Sequence, residues 1–400
     1  MKRHRSITRP LISSPLIALC LVLLTGRALA VTSIIPNAPA INAKGFVLMD
    51  YDSGQIIASE NAETALAPAS LTKMMTAYVI GREINSGRLS FDDKVTISRN
   101  AWSRNFPDSS KMFIEPGDKI SVGDLSRGIM VQSGNDASVA MAEHIAGSEG
   151  AFVDLMNSWA TRLGMTNTQF INAHGLDGDS IATTPRDMAI LTQRLIQDAP
   201  EVYQIYQERS FKWNGITQYN RNQLLWDRSL NVDGGKTGYT SNAGYSLVTS
   251  ATQEGMRLIT VVMGTPSKTA RLEESRKLLT YGFRFFETST LLDQDSAVQT
   301  EKVWMGTQDQ INLGVNDDIS VTLPKGQARR LKVEYEINTP LKAPLEEGSV
   351  LGQVRWVLGD ETIKEANLMA IEAVEQGSLI KRLVDSVLLF INNLKQNLLS

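Results

Sequence analysis

Cysteine is nearly absent: the 400 residues hold one, Cys20, and it lies in an apolar run near the N-terminus. A disulfide framework, a thiol nucleophile and a cysteine-based metal site are thereby excluded from the rest of the chain, which would tolerate an oxidising compartment. Histidine is scarce as well. His4, His144 and His174 are the only three, none in a His-Glu-x-x-His spacing, so no metal and no cofactor is expected. No Gly-x-Ser-x-Gly elbow occurs, which removes an α/β-hydrolase. The apolar run over residues 16–24 is short of the roughly 20 residues that span a bilayer. It follows Lys2, Arg3, Arg5 and Arg9 and precedes Ala28-Leu29-Ala30, the form of a cleaved export signal, with a mature start near Val31. Basic charge is in short supply too. Without the five basic residues of that segment, 35 basic residues face 43 acidic ones, a net charge of −8, and no basic patch invites nucleic acid.

What is present is ample for a core: 42% hydrophobic and 21% charged residues over a length of two or three domains. Residues 45–51 and 55–59 read as a hairpin closed by Asp52-Ser53-Gly54. A helix follows Pro68. Ser121-Val122-Gly123-Asp124 opens another with a capping box, Ser133 to Asn135 joins it to the next, Ser148 starts a third, and Thr184-Pro185-Arg186-Asp187 starts a fourth. From Asn231 strands return at 235–240, 244–252 and 256–264, then a long helix over 268–286. Strands early, helices in the middle and strands late predict an α+β domain whose sheet unites both ends of the region.

Beyond Glu287 the texture changes. Leu331, Val333, Tyr335 and Ile337 alternate with Lys332, Glu334 and Glu336, the period of a half-buried strand, and similar segments predict a small all-β domain. The last stretch is helical by period. Ile380, Leu383, Val384, Val387, Ile391, Leu394 and Leu398 form an apolar stripe opposite Lys381, Arg382, Asp385, Asn392, Asn393, Lys395 and Gln396. Too polar to span, it is expected to lie on a membrane surface; docking on the β domain or a dimer seam is the alternative.

The chemistry centres on Pro68-Ala69-Ser70-Leu71-Thr72-Lys73. Residues three apart on a helix share a face, so the Ser70 hydroxyl meets the Lys73 amine. Both sit near the positive end of the helix dipole, which favours an alkoxide and disfavours an ammonium. Burial pushes the amine the same way, toward a base able to take the serine proton. Ser133-Gly134-Asn135 and Lys236-Thr237-Gly238 follow downstream, one at a helix junction and one opening a strand.

The three motifs, in this order and context, resemble the serine penicillin-recognising enzymes. More narrowly, with His174-Gly175-Leu176-Asp177, the C-terminal β domain and the amphipathic tail, the chain resembles the D-alanyl-D-alanine carboxypeptidases of the penicillin-binding protein 5 and 6 group. The resemblance implies a fold of antiparallel sheet flanked by helices. It divides the chain into a signal peptide (1–30), a serine carboxypeptidase domain (31–286), an all-β domain (287–376) and a membrane-surface helix (377–400) at the periplasmic face of the inner membrane.

It further implies removal of the terminal D-alanine from peptidoglycan stem peptides through a Ser70 acyl-enzyme, with β-lactams as covalent inhibitors. Lys73 is then the base and Ser133 relays a proton to the leaving amine. Asn135 holds the substrate amide. Lys236, Thr237, Thr240 and Arg221 receive the terminal carboxylate, and Arg271 organises that end or sits at the surface. The oxyanion hole joins the Ser70 N–H to that of Tyr239 or Thr240, beyond Gly238. Many relatives carry histidine where Tyr239 stands, and a phenol does not titrate near neutrality, so deacylation is expected to be slower or differently pH-dependent. His174 is expected to be structural. A class A β-lactamase would need a Glu-x-x-Leu-Asn loop that no glutamate between the second and third motifs supplies, and intact motifs argue against a vestigial wall-bound scaffold.

Overall fold

The computed structural model describes residues 35–294 and 296–399; the export segment lies outside them. Strand β1 (Gly45–Asp50) pairs antiparallel with β2 (Ile56–Glu60). Its run of apolar residues has a cause: Val47 and Met49 face one core, while Phe46 and Leu48 face a second with Leu278, Leu279 and Phe283. A strand covered on both sides needs no alternation.

Helix α1 (Lys73–Asn85) runs through the larger core with Met74, Met75, Tyr78 and Ile80 fully enclosed, so it has no polar face over its first turns. The small hairpin β3 (Lys94–Thr96) and β4 (Lys119–Ser121) leads to α2 (Val122–Met130), α3 (Asn135–Ala146), α4 (Glu149–Arg162), α5 (Pro185–Asp198) and the short α6 (Pro200–Gln204). Ser121, Ser148 and Thr184 each accept the N–H three residues on, capping α2, α4 and α5 as expected. After the hairpin β5 (Ser210–Trp213) and β6 (Ile216–Tyr219) come β7 (Val232–Thr240), β8 (Gly244–Gln253) and β9 (Met256–Thr265). The sheet order is β2-β1-β9-β8-β7, antiparallel throughout. It unites both ends of the region, as the α+β reading required. Helix α7 (Lys268–Phe285) covers one face and α5 the other.

One local expectation is corrected. Ser70 does not sit in the first turn of the α-helix but in a 3-10 turn, Ala69–Thr72, with α1 beginning at Lys73. Ala69 takes a left-handed conformation (φ 48°) that bends the chain into this turn. With three residues per turn, positions i and i+3 eclipse, so Ser70 and Lys73 still meet.

The remaining strands are β10 (Phe286–Leu292), β11 (Gln299–Trp304), β12 (Gln310–Gly314), β13 (Ile319–Pro324), β14 (Lys332–Ile337), β15 (Leu341–Lys342), β16 (Val350–Leu358) and β17 (Glu361–Ala370). β10 pairs with β13, and the others form a sheet of order β14-β16-β17-β12-β11-β15 over a core of Val303, Leu313, Val354, Trp356 and Leu368. β14 departs from the half-buried expectation: lying at the sheet's edge, it is exposed from Lys332 to Glu336. Two polar contacts tie this region to the first sheet, Thr288 Oγ1 donating to Asp50 at 2.6 Å and Ser53 Oγ meeting Thr322 Oγ1 at 2.6 Å.

Helix α8 (Leu379–Leu399) rests on β11 through its polar side as well as one leucine. Asp385 is buried and accepts the Met305 N–H at 2.7 Å, Lys381 donates to Asp309 at 2.5 Å, and Leu389 is buried nearby. Ile380, Leu383, Val384, Val387 and Phe390 remain exposed. Among the described residues no helix is long and apolar enough to cross a membrane.

Candidate active site

The Ser70 turn is wedged between the backbones of Gly175, which has no room for a side chain, and Gly238, which has little. A Cβ on Gly175 (φ +86°) would stand 1.8 Å from the Ala69 carbonyl oxygen, and one on Gly238 would stand 3.0 Å from that of Pro68. The first contact is impossible for any other residue. Glycine at 175 thus lets the His174 turn press against Ser70, and glycine at 238 brings β7 alongside.

Lys73 is fully buried in the notch this creates. Its Nζ lies 3.3 Å from Ser70 Oγ, 2.7 Å from Asn135 Oδ1 and 2.6 Å from the His174 carbonyl oxygen. Burial, aided by the Arg221 guanidinium and opposed by the Asp136 carboxylate, pulls its pKa down to about 7. As a neutral amine it donates to the amide and carbonyl oxygens, and its lone pair then faces the Ser70 hydroxyl. His174 matters here through its main chain. Its ring accepts the Leu176 N–H on Nδ1 at 3.1 Å, and burial followed by the Lys73 charge pushes its pKa to about 3, so the imidazole stays neutral.

The junction between α2 and α3 supplies the facing wall. Ser133 is held at φ 65°, with its hydroxyl buried and without a protein partner among the described residues. Asn135 opens α3, donating from Nδ2 to Ser109 Oγ at 3.0 Å and from its N–H to the Ser110 carbonyl at 2.9 Å. Next to it the fully buried Asp136 carboxylate accepts the N–H groups of Met112 (2.8 Å), Phe113 (2.9 Å) and Ala137 (2.9 Å). Burial raises the Asp136 pKa and these bonds oppose the rise. Sequence reasoning did not single out Ser109, Ser110 or Asp136. Their contacts join the 109–113 segment to the start of α3, two stretches that no motif links.

β7 forms the opposite wall of a cavity of about 640 Å³ that also reaches Ser70, Asn135 and Arg271. Lys236 is buried and donates to the Thr237 carbonyl at 2.9 Å. Its pKa is driven well below the ordinary lysine value, by burial first and then by Lys73, Arg221 and Arg271. Arg221 donates to Ser110 Oγ at 2.6 Å. Arg271 is buried, not a surface residue; it donates to the Gly238 carbonyl at 3.3 Å, and burial lowers its pKa to about 10. Arg221 and Arg271 thus line the cavity beside the buried Lys236 amine, whose charge both disfavour, an arrangement that an entering carboxylate relieves. Thr237, Gly238 and Thr240 line it, although the Thr240 hydroxyl is engaged by Asp177 at 2.9 Å and by the Ala243 N–H at 3.1 Å. Tyr239 is exposed at the rim, its ring stacked on Tyr245 at 4.2 Å between centroids.

Residues 32–267 match the D-alanyl-D-alanine carboxypeptidase family, and residues 286–376 match the penicillin-binding protein 5 C-terminal domain. The chain is 47% identical over 357 residues, 88% of its length and 89% of the relative's, to D-alanyl-D-alanine carboxypeptidase DacC of Escherichia coli strain K12. The crystal structure of penicillin-binding protein 5 from Haemophilus influenzae superposes with a TM-score of 0.83 at 47% identity, covering 85% of this chain and all of that one. Penicillin-binding protein D2 of Listeria monocytogenes in its ampicillin-bound form matches with a TM-score of 0.56 at 29% identity, over 62% of this chain and 99% of that one.

Proposed function

The chain belongs to the D-alanyl-D-alanine carboxypeptidase family, and from that premise we infer that Ser70 is the nucleophile that Lys73 activates. The protein is a serine-type D-alanyl-D-alanine carboxypeptidase and penicillin-binding protein acting in peptidoglycan maturation. The residue roles are our reading of the cavity. The Ser70 O–H passes its proton to Lys73 Nζ as Oγ attacks the carbonyl of the penultimate D-alanine, and the C–N bond breaks. Ser133, whose hydroxyl is free of protein partners among the described residues, carries the proton to the departing amine. The Ser70 N–H and that of Tyr239 or Thr240 receive the oxyanion; loss of one such donor costs about 3 kcal/mol. Asn135 holds the substrate amide, while Lys236, Arg221 and Thr237 take the terminal carboxylate and Arg271 holds the Gly238 carbonyl of β7. Water then attacks the acyl-enzyme with Lys73 again as base.

One observation carries this reading: a buried lysine amine 3.3 Å from the serine oxygen with a pKa near 7. Intact-protein mass spectrometry with benzylpenicillin tests it. A single penicilloyl adduct is expected on the wild-type chain, with none on Ser70→Ala, alongside D-alanine release from a diacyl-D-Ala-D-Ala peptide by the wild type alone. An adduct that survives in Ser70→Ala overturns the assignment.

We assign residues 31–286 to the catalytic domain, 287–376 to the all-β domain and 377–400 to a helix that holds the enzyme on the periplasmic face of the inner membrane. The exposed apolar side of α8 supports the last of these. Flotation with anionic vesicles is expected to carry the intact chain and to leave behind Leu383→Glu/Val387→Glu; equal flotation of both refutes it.

A further inference from the structure

β14 has one neighbour, β16, and its other edge is open. The Asn338 N–H bonds the Leu351 carbonyl opposite it at 2.9 Å. The register Lys332↔Val357 to Ile337↔Gly352 continues through that pair, so the even-numbered residues turn their backbone groups toward β16. In an antiparallel ladder this directs the N–H and C=O of Val333 and Tyr335 outward. The side chains along this edge are unsatisfied as well. Val333 is 46% exposed and Tyr335 43%, and among the described residues neither Lys332 nor Glu334 has an ion-pair partner, although Glu336 is held by Arg355.

An open edge is a template for another strand, and this one is complementary to itself in a single register. Antiparallel self-pairing centred on Val333 sets Lys332 opposite Glu334, twice by symmetry, and Leu331 opposite Tyr335, with Val333 against Val333. A shift that centres the pair on Glu334 opposes two carboxylates, and one centred on Lys332 opposes two ammonium groups. Centring on Val333 also joins residues whose backbone groups point outward. We propose that β14 is a homotypic docking edge, through which two copies of this chain pair antiparallel about a two-fold axis at Val333 and merge their β-domain sheets into one.

Disulfide trapping tests this in the full-length chain with Cys20→Ser, which removes its only cysteine. Directly opposed residues of this kind lie about 4.5 to 5.5 Å apart at Cα, within disulfide reach, whereas pairs beyond about 7 Å are not bridged. Lys332→Cys mixed with Glu334→Cys is expected to give a disulfide dimer at least tenfold more abundantly than either alone, and Val333→Cys is expected to dimerise by itself. In the Val333→Cys background Lys332→Glu should reduce trapping severalfold, and adding Glu334→Lys should restore it. Labelling of Ser70 by a fluorescent penicillin should be equal in all variants, which establishes that they fold. Equal trapping at 332, 334 and 336, indifference to charge reversal, or capture of a different protein at position 333 would each overturn the proposal.

Discussion

The Lys73 amine makes a quantitative prediction about acylation. The perturbation is pH, and the quantity to follow is the second-order rate constant for Ser70 acylation by a fluorescent penicillin well below saturation, which reports ionisations of the free enzyme. With a Lys73 pKa of about 7, roughly half of the amine is neutral at pH 7 and roughly 1% at pH 5. The rate constant should therefore fall about 50-fold between those values and level off above about pH 8. His174 cannot produce this inflection, because burial keeps its pKa near 3. The source of the depression gives two variants of opposite sign. Arg221 lowers the Lys73 pKa and Asp136 raises it, so Arg221→Gln should move the inflection to higher pH and Asp136→Asn to lower pH. Arg221→Gln should also weaken carboxylate binding, but that lowers the plateau without moving the inflection. A profile flat from pH 5 to 8, or both variants shifting it the same way, would refute Lys73 as the base.

Other perturbations follow from the same geometry. Asp136→Asn leaves N–H groups of the 112–114 loop facing an amide that cannot accept them all, and should lower stability by about 2 to 4 kcal/mol in urea unfolding; an unchanged midpoint would count against the clamp. Gly175→Ala places a methyl where 1.8 Å is available, and should cut penicillin acylation by orders of magnitude while far-UV circular dichroism stays native. Wild-type acylation there would mean the turn moves freely. Tyr239→His introduces a group that titrates near neutrality where Tyr245 now raises the phenol pKa. Faster deacylation with a new inflection between pH 6 and 7 is expected, and an unaltered rate and profile would show that the side chain takes no part.

Much of the fold was legible because local rules and tertiary demands agree. Ser121, Ser148 and Thr184 announce helix starts, and each caps one. β14 shows where periodicity stops. Alternation describes which face of a strand is apolar but not whether another strand lies beside it, and the edge position leaves Val333 and Tyr335 in water. Arg271 was ambiguous for a similar reason: only the packing of α7 against β8 and β9 determines that its guanidinium is buried.

Residue type and spacing are enough to name the reactive groups, because Ser70 with Lys73, Ser133 with Asn135, and Lys236 with Thr237 are short motifs that carry their own chemistry. Tertiary structure alone decided how those groups behave. Lys73 meets Asn135 and His174, 62 and 101 residues away in the chain, and its pKa is set by burial first, then by the Arg221 guanidinium and the Asp136 carboxylate that the fold brings near it. The His174 carbonyl acts through the main chain, and the Asp136 carboxylate grips main-chain N–H groups of Met112 and Phe113, partners that no motif records. Desolvation and long-range Coulomb interactions are properties of the packed chain, and here they turn an ordinary lysine into a base.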